Sequence, residues 1–129
     1  MATRSVIGYI QADGSYIGCY CHYDGYPSGV GSNLLKMNPE DIRSMVTAGI
    51  MKGGIRAINS PDLAEVEYFN ESWPEAKRTQ LPGGEEYDYI LRNDNGVAVW
   101  FVSDHDGDFV TLESAIMDEQ DRIAQEETA

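Results

Sequence analysis

Asp13-Gly14 separates two runs rich in Ile, Val and Tyr, at residues 6–12 and 15–23. An Asp-Gly pair between β-prone residues is the strongest short-range hairpin signal, because glycine takes the positive φ of a tight turn without steric cost. The pair predicts a two-residue type I′ turn. In that register Ile10 pairs with Ile17, Gly8 with Cys19 and Val6 with Cys21, so Val6, Ile10, Ile17, Cys19 and Cys21 share the core-facing side. Ile7, Tyr9, Tyr16, Tyr20 and His22 fall on the other side, to be covered by helices or used for contact.

The stretch 24–31 (DGYPSGVG) has three glycines and a proline and is a loop. A short helix through Asn33, Leu34, Leu35 and Met37 follows, capped by Ser28 or Ser32. Asn38-Pro39-Glu40-Asp41 is an N-cap, a proline at the first helical position and acids in the first turn. Ile42, Met45, Val46, Gly49 and Ile50 recur at helical spacing, and Gly53-Gly54 ends this second helix. Residues 55–58 form a short strand. Pro61, Pro74 and Pro82 mark 59–84 as turns, with one helical turn near 63–68. Runs 86–92 and 97–102 flank Asn93-Asp94-Asn95-Gly96, a hairpin with a longer turn. After a turn at 104–107, Phe109-Val110 extends and Thr111 caps a closing helix. Its stripe is Leu112, Ala115, Ile116 and Ile123, and it frays from Gln125. The order predicts an α+β fold: a mostly antiparallel sheet with helices packed on one face, in a single domain spanning 1–129.

Nine basic and 22 acidic side chains give a net charge of −13. That charge would repel phosphate backbones and anionic lipid, which disfavours direct nucleic-acid or membrane binding. No apolar run reaches the roughly 18 residues of a membrane span, and residues 1–10 lack a signal-peptide core, so a soluble cytosolic protein is expected. The charge is uneven. Residues 1–60 carry five bases and four acids, whereas 61–129 carry four bases and eighteen acids. Acidity of this kind commonly serves solubility alone. Duplex DNA carries about two phosphates per 3.4 Å, so eighteen acids are also the right order for a domain-sized DNA mimic. Glu85, Glu86, Asp88, Asp104, Asp106 and Asp108 at the strand turns, with Glu113, Asp118, Glu119 and Asp121 on the last helix, are the candidate protein-binding acids.

Thr3-Arg4-Ser5-Val6-Ile7, the Asp13-Gly14 turn and the run from Tyr20 to Gly31 (YCHYDGYPSGVG) together resemble a family of small proteins of tailed bacteriophages. Its members begin with a TRS-x-I strand and continue through YCHWDGYP-x-GVG. Here Tyr23 stands where Trp is usual and Val6 where Thr is usual. A weaker similarity covers 86–112, through the strand from Tyr87 to Leu91, Trp100 and Leu112. The resemblance implies phage origin and action in the host bacterial cytoplasm. It supplies no catalytic residue or cofactor for these positions, and the expectation for phage accessory proteins of this size is binding to host enzymes or anti-defence action.

Cys19, Cys21, His22 and His105 are the residue types of a zinc site or a thiol nucleophile, and hence of a Cys/His thiol or metal hydrolase. Strand alternation separates them: both cysteines point to the core and His22 points away. Two buried cysteines acting as small hydrophobes fit better, and His22 then orders the loop through Asp24 or a backbone group. A disulfide between strand neighbours about 6.6 Å apart is disfavoured. Asp104, Asp106 and Asp108 alternate as in calcium loops, yet an EF-hand there requires glycine and glutamate where Phe109 and Ala115 stand. Gly29-x-Gly31-Ser32 before a helix has the makings of an anion cradle, but neither a Walker A nor a dinucleotide fingerprint is complete. With Arg4, Tyr20, His22, Tyr23 and Tyr26 it outlines a pocket for a nucleotide-like signal, in which rings stack a base while Arg4 and the helix end hold phosphate.

The leading expectation is a non-catalytic protein that binds a host bacterial protein, such as a defence or nucleic-acid-handling enzyme, through its acidic half. The alternative is a ligand-sequestering homo-oligomer using the loop 24–32, associating through the Tyr-rich hairpin face or the sheet edge. Neither invokes a cofactor or a metal.

Overall fold

The computed structural model describes residues 3–69, 86–94, 96–104 and 108–128. Strands β1 (Ser5–Ile10) and β2 (Tyr16–Cys21) form the expected hairpin. Its register differs by one residue: Ser5 pairs with Cys21, Ile7 with Cys19 and Ile10 with Tyr16. The turn explains the shift. Gln11 N–H donates to the Ser15 carbonyl at 2.7 Å and Gly14 N–H to the Gln11 carbonyl at 2.9 Å, closing a three-residue loop with Gly14 last, at φ +88°. The Asp13 carboxylate accepts from the Ser15 amide at 2.9 Å and from its hydroxyl at 2.6 Å. Asp-Gly thus completes a type I turn followed by a left-handed glycine, the usual three-residue hairpin. Since strand side chains alternate, the slip turns β1 over. Ile7 joins Cys19 and Cys21 on the helix-bearing side, while Val6 and Ile10 join Tyr16 on the other.

A π-helical turn (Pro27–Gly31) runs directly into α1 (Ser32–Leu35). Gly31 holds the N-cap position with no side-chain cap, so neither Ser28 nor Ser32 caps it. Helix α2 (Pro39–Met51) follows the sequence reading: Asn38 accepts from the Asp41 amide at 2.8 Å, and Gly53 and Gly54, both at positive φ, end it. Strand β3 (Ile55–Ile58) pairs parallel with β2. A 3₁₀ turn at Leu63–Glu65 leads into β4 (Val66–Tyr68), a strand where only a helical turn was expected. Of the expected turns in 59–84, residues 70–84 lie outside the described residues. Strands β5 (Tyr87–Asp94) and β6 (Val97–Asp104) pair down to Asp94 and Val97, so two residues connect them rather than a longer turn. β7 (Phe109–Thr111) passes without a gap into α3 (Leu112–Thr128).

The strands make one seven-stranded sheet in the order β4-β3-β2-β1-β5-β6-β7. β1 pairs parallel with β5 and β2 with β3, and the other four junctions are antiparallel. The fold is α+β with a mostly antiparallel sheet. Helix residues Leu34, Ile42, Met45 and Leu112 meet Ile7, Cys19, Tyr89 and Trp100 in the main core, each large apolar side chain contributing about 1.5 to 3 kcal/mol by burial. Ala115 and Ile116 continue the α3 stripe against this core, but Ile123 is 45% exposed, so the packed part of the stripe ends before it.

On the opposite face Tyr16 lies across Gly8 and Gly18, which pair with each other, and its hydroxyl donates to the Tyr89 carbonyl at 3.4 Å. Tyr16 and Tyr20 are both buried, although this side of the hairpin lies away from the helices that the sequence offered as one possible cover. A Cβ at Gly8 would sit 2.5 Å from the Tyr16 ring and would also strike the Ile17 carbonyl, whereas one at Gly18 would meet only the far end of the ring. Gly8→Ala is expected to destabilise the fold by about 2 to 3 kcal/mol and Gly18→Ala by less, because backbone cannot yield as a ring can. Urea unfolding midpoints of the two variants check the order.

Candidate functional site

The loop after β2 is built by hydrogen bonds to its own backbone. Asp24 takes φ +57°, Gly25 N–H donates to the Thr3 carbonyl at 2.9 Å, and Val30 N–H donates to the Asp24 carbonyl at 2.8 Å. From β5 the buried Tyr89 phenol donates to the Gly25 carbonyl at 2.6 Å. The glycines allow close approach, but of the protein to itself. A Cβ at Gly31 would lie 2.8 Å from Leu112, and one at Gly29 would lie 2.5 Å from the Asp24 carbonyl. The Ser28 amide, the kind of donor an anion would seek, already donates to Glu119 Oε2 of α3 at 2.7 Å.

The remaining residues of the expected ligand pocket separate. Tyr20 is buried on the sheet face away from the helices, and its hydroxyl lies 2.6 Å from His22 Nδ1. His22 packs edge-on to Tyr23, with ring centroids 4.5 Å apart, and to Phe69 at 5.8 Å. Its ring thus has Tyr20 as a hydrogen-bonding partner. Phe69, beside the prolines of 59–84, carried no sequence signal. Tyr26 turns back on Asp24, its hydroxyl donating at 3.4 Å. Arg4 is exposed, while Gly31 is buried and Ser32 half-buried where the loop packs beneath α3. The structure thus gathers Tyr20, His22 and Tyr23 into an aromatic cluster and uses Gly29 and Gly31 as packing positions.

Cys19 and Cys21 are fully buried. Burial pushes each thiol up to about 12, with the neighbouring Cys19 adding to the effect on Cys21. A thiol of that kind is neither ionised nor reachable at neutral pH. Among the described residues no three His, Cys, Asp or Glu side chains converge as a metal site. His105 lies outside the described residues.

The acids fall into three groups. Asp88 is no surface acid: it sits in mid-β5 at 4% exposure, opposite Val6 of β1 and Ser103 of β6, and its charge helps burial hold the Tyr16 phenol up. Glu119 is half-buried and committed to Ser28. Glu86, Asp108, Glu113, Asp118 and Asp121 are exposed. Asp104 ends β6, and Glu85 and Asp106 lie outside the described residues.

Three of the exposed acids converge on one groove. Asp108 and Val110 share a side of β7, and Asp118, Asp121, Arg122 and Gln125 recur at helical spacing along α3. With Tyr87, Val102, Ala115 and Pro27 as its largely apolar floor, they line a groove of about 520 Å³. Among the described lining residues three carboxylates face one guanidinium. Glu113 lies elsewhere, at a smaller apolar cavity beside Trp100, Leu91 and Met37. Sequence reasoning named the acids but missed the floor, because Tyr87, Val102 and Val110 looked like ordinary strand residues.

Comparison with known proteins finds no matching family model, no curated relative and no similar solved structure. None of the described helices is long and apolar enough to cross a membrane.

Between the ordinary thiol value of 9.0 and about 12, the folded chain keeps two protons that the unfolded chain releases. Stability is therefore complete well below pH 9 and falls as pH rises toward 12, by up to about 1.4 kcal/mol per pH unit for each thiol. Urea midpoints between pH 7.5 and 9, below the ordinary tyrosine value of 10.0 from which the buried tyrosines are also raised, are expected to drop. A Cys19→Ala/Cys21→Ala variant is expected to flatten that slope, and native protein should react with a thiol reagent only as fast as it opens.

Proposed function

We propose that this is a non-catalytic, phage-encoded protein that occupies a basic surface of a host protein in the bacterial cytoplasm, using the acidic edge of its sheet and α3. The observation that carries the reading is the groove between β7 and α3, where Asp108, Asp118 and Asp121 stand over an apolar floor. Carboxylates beside low-dielectric side chains focus negative potential outward, which favours encounter with cations and fixes their register.

The sheet order supports the same reading. β5, β6 and β7 lie together on one side of β1, and α3 follows β7 directly. From Glu86 onward the chain carries twelve acids and two bases, Arg92 and Arg122. Half of these acids lie on α3, whose Asp118 and Asp121 share one groove with Asp108 beside β7. A DNA-binding or other nucleic-acid-handling enzyme of the host, including a defence enzyme, presents the complementary basic surface. Nothing comparable favours a nucleotide-like ligand in the loop 24–32, where Glu119 holds the Ser28 amide and Leu112 fills the space above Gly31. The buried thiols favour occupancy over thiol chemistry.

Affinity capture from host lysate tests the proposal. The wild-type chain is expected to retain a host polypeptide at about 0.1 M salt and to lose it near 1 M, where the Debye length shrinks from roughly 10 Å to 3 Å. A variant with Asp108→Lys, Asp118→Lys and Asp121→Lys should retain it at least tenfold less. Capture unaffected by the three reversals would sink the idea.

A further inference from the structure

We infer that the groove is read by an extended segment that adds to β7 as an eighth strand and alternates basic with apolar residues. The inference rests on the binding role proposed above and specifies its partner's chemistry.

β7 ends the sheet, and among the described residues no strand pairs with its outer edge. All three of its residues are exposed, with Phe109 at 41% and Val110 at 44%. An open edge presents backbone donors and acceptors that another extended chain can satisfy, and many complexes form this way. The two faces of the edge differ. Val110 pairs with Val102 and shares the helix-bearing face with the acidic groove. Phe109 and Thr111, opposite Ser103 and Phe101, face the other way.

An added strand would lie about 4.8 Å from β7, with successive side chains on opposite faces. Residues on the groove side would come within reach of Asp108, Asp118 and Asp121, which suits Lys or Arg. Residues on the opposite side would lie beside Phe109, which suits Val, Ile or Leu. The partner's recognition element is accordingly a period-two run, basic then apolar. Charge argues against a second copy of this chain as the occupant. Pairing two β7 edges would bring the same three carboxylates together in a chain of net charge −13.

The probe is a capped seven-residue peptide alternating Lys and Val, compared with a version N-methylated at every backbone nitrogen, which keeps its charge but has no N–H to donate to a strand ladder from either edge. Binding by calorimetry and amide hydrogen exchange of the full-length protein are the readouts. The inference expects the plain peptide to bind and to slow exchange at the β7 amides, the N-methylated peptide to bind at least tenfold more weakly, and Asp118→Asn with Asp121→Asn to cost a similar factor. Equal binding of the two peptides, or binding with β7 exchange unchanged, would overturn strand addition and leave the acidic-surface reading standing. Binding of neither would overturn it as well, with the lysate capture deciding the broader reading independently. A dimer with β7 amides protected before peptide is added would assign the edge to a second copy, against the inference.

Discussion

The Tyr89 hydroxyl, donating to the Gly25 carbonyl at 2.6 Å in the buried core, joins three parts of the chain that are far apart in sequence. Tyr89 belongs to β5, Gly25 to the loop after β2, and Leu112, packed over Gly31 beside the Tyr89 ring, begins α3. From the other side of the sheet the Tyr16 hydroxyl donates to the Tyr89 backbone carbonyl. Such a bond contributes only about 1 kcal/mol net, but losing one partner strands a buried polar group at a cost of about 1 to 3 kcal/mol. Gly31 leaves room for this packing: a Cβ there would lie 2.8 Å from Leu112, which would have to shift from its place beside Tyr89. The same packing positions the first turns of α3, and so the carboxylates further along it, against β7.

What could be read in the sequence divides along physical lines. α2 was legible throughout because its signals are local: Asn38 caps, Pro39 starts, Ile42, Met45 and Val46 line one side, and two glycines stop it. The hairpin was legible as a hairpin but not in register. Asp13-Gly14 serves two-residue and three-residue turns alike, and β1 and β2 are buried on both faces, so no polar alternation existed to choose between them. Val6 and Ile7 are equally apolar, and only the hydrogen bonds of Gln11 and Ser15 decide which faces the helices. β4 was illegible for the opposite reason: three residues, one of them Glu67, hold a strand only because β3 offers its edge.

The candidate acids were legible by composition and only partly by place. Along a strand consecutive residues face opposite ways, so the run from Glu85 to Asp88 could not show that Asp88 points inward beside Val6 and Ser103. Glu119 lies on the same α3 stripe as Leu112 and Ile116, a position whose charge is tolerated because the Ser28 amide receives it. Subtracting these two from the predicted set leaves a sharper surface. The floor of the groove could not have been foreseen, since it combines Pro27, Tyr87, Val102 and Val110 from four different segments.

The parallel pairing of β1 with β5 turns these particulars into a functional arrangement. Had β5 joined the opposite edge, beside β4, the near-neutral and acidic parts of the chain would have met across β3 and β4, with Glu67 on β4 and Glu65 in the turn before it. Joining at β1 instead places the first hairpin in the middle and carries β6 and β7 outward, so Asp108, Asp118 and Asp121 collect at the far edge. The parallel pair needs a long connection, and residues 11–86 supply it with α1, α2, β3 and β4. One face of the sheet is thereby packed by helices drawn from both parts of the chain. The outer edge is left to β7, where repulsion among like charges discourages self-pairing and a cationic strand would relieve it.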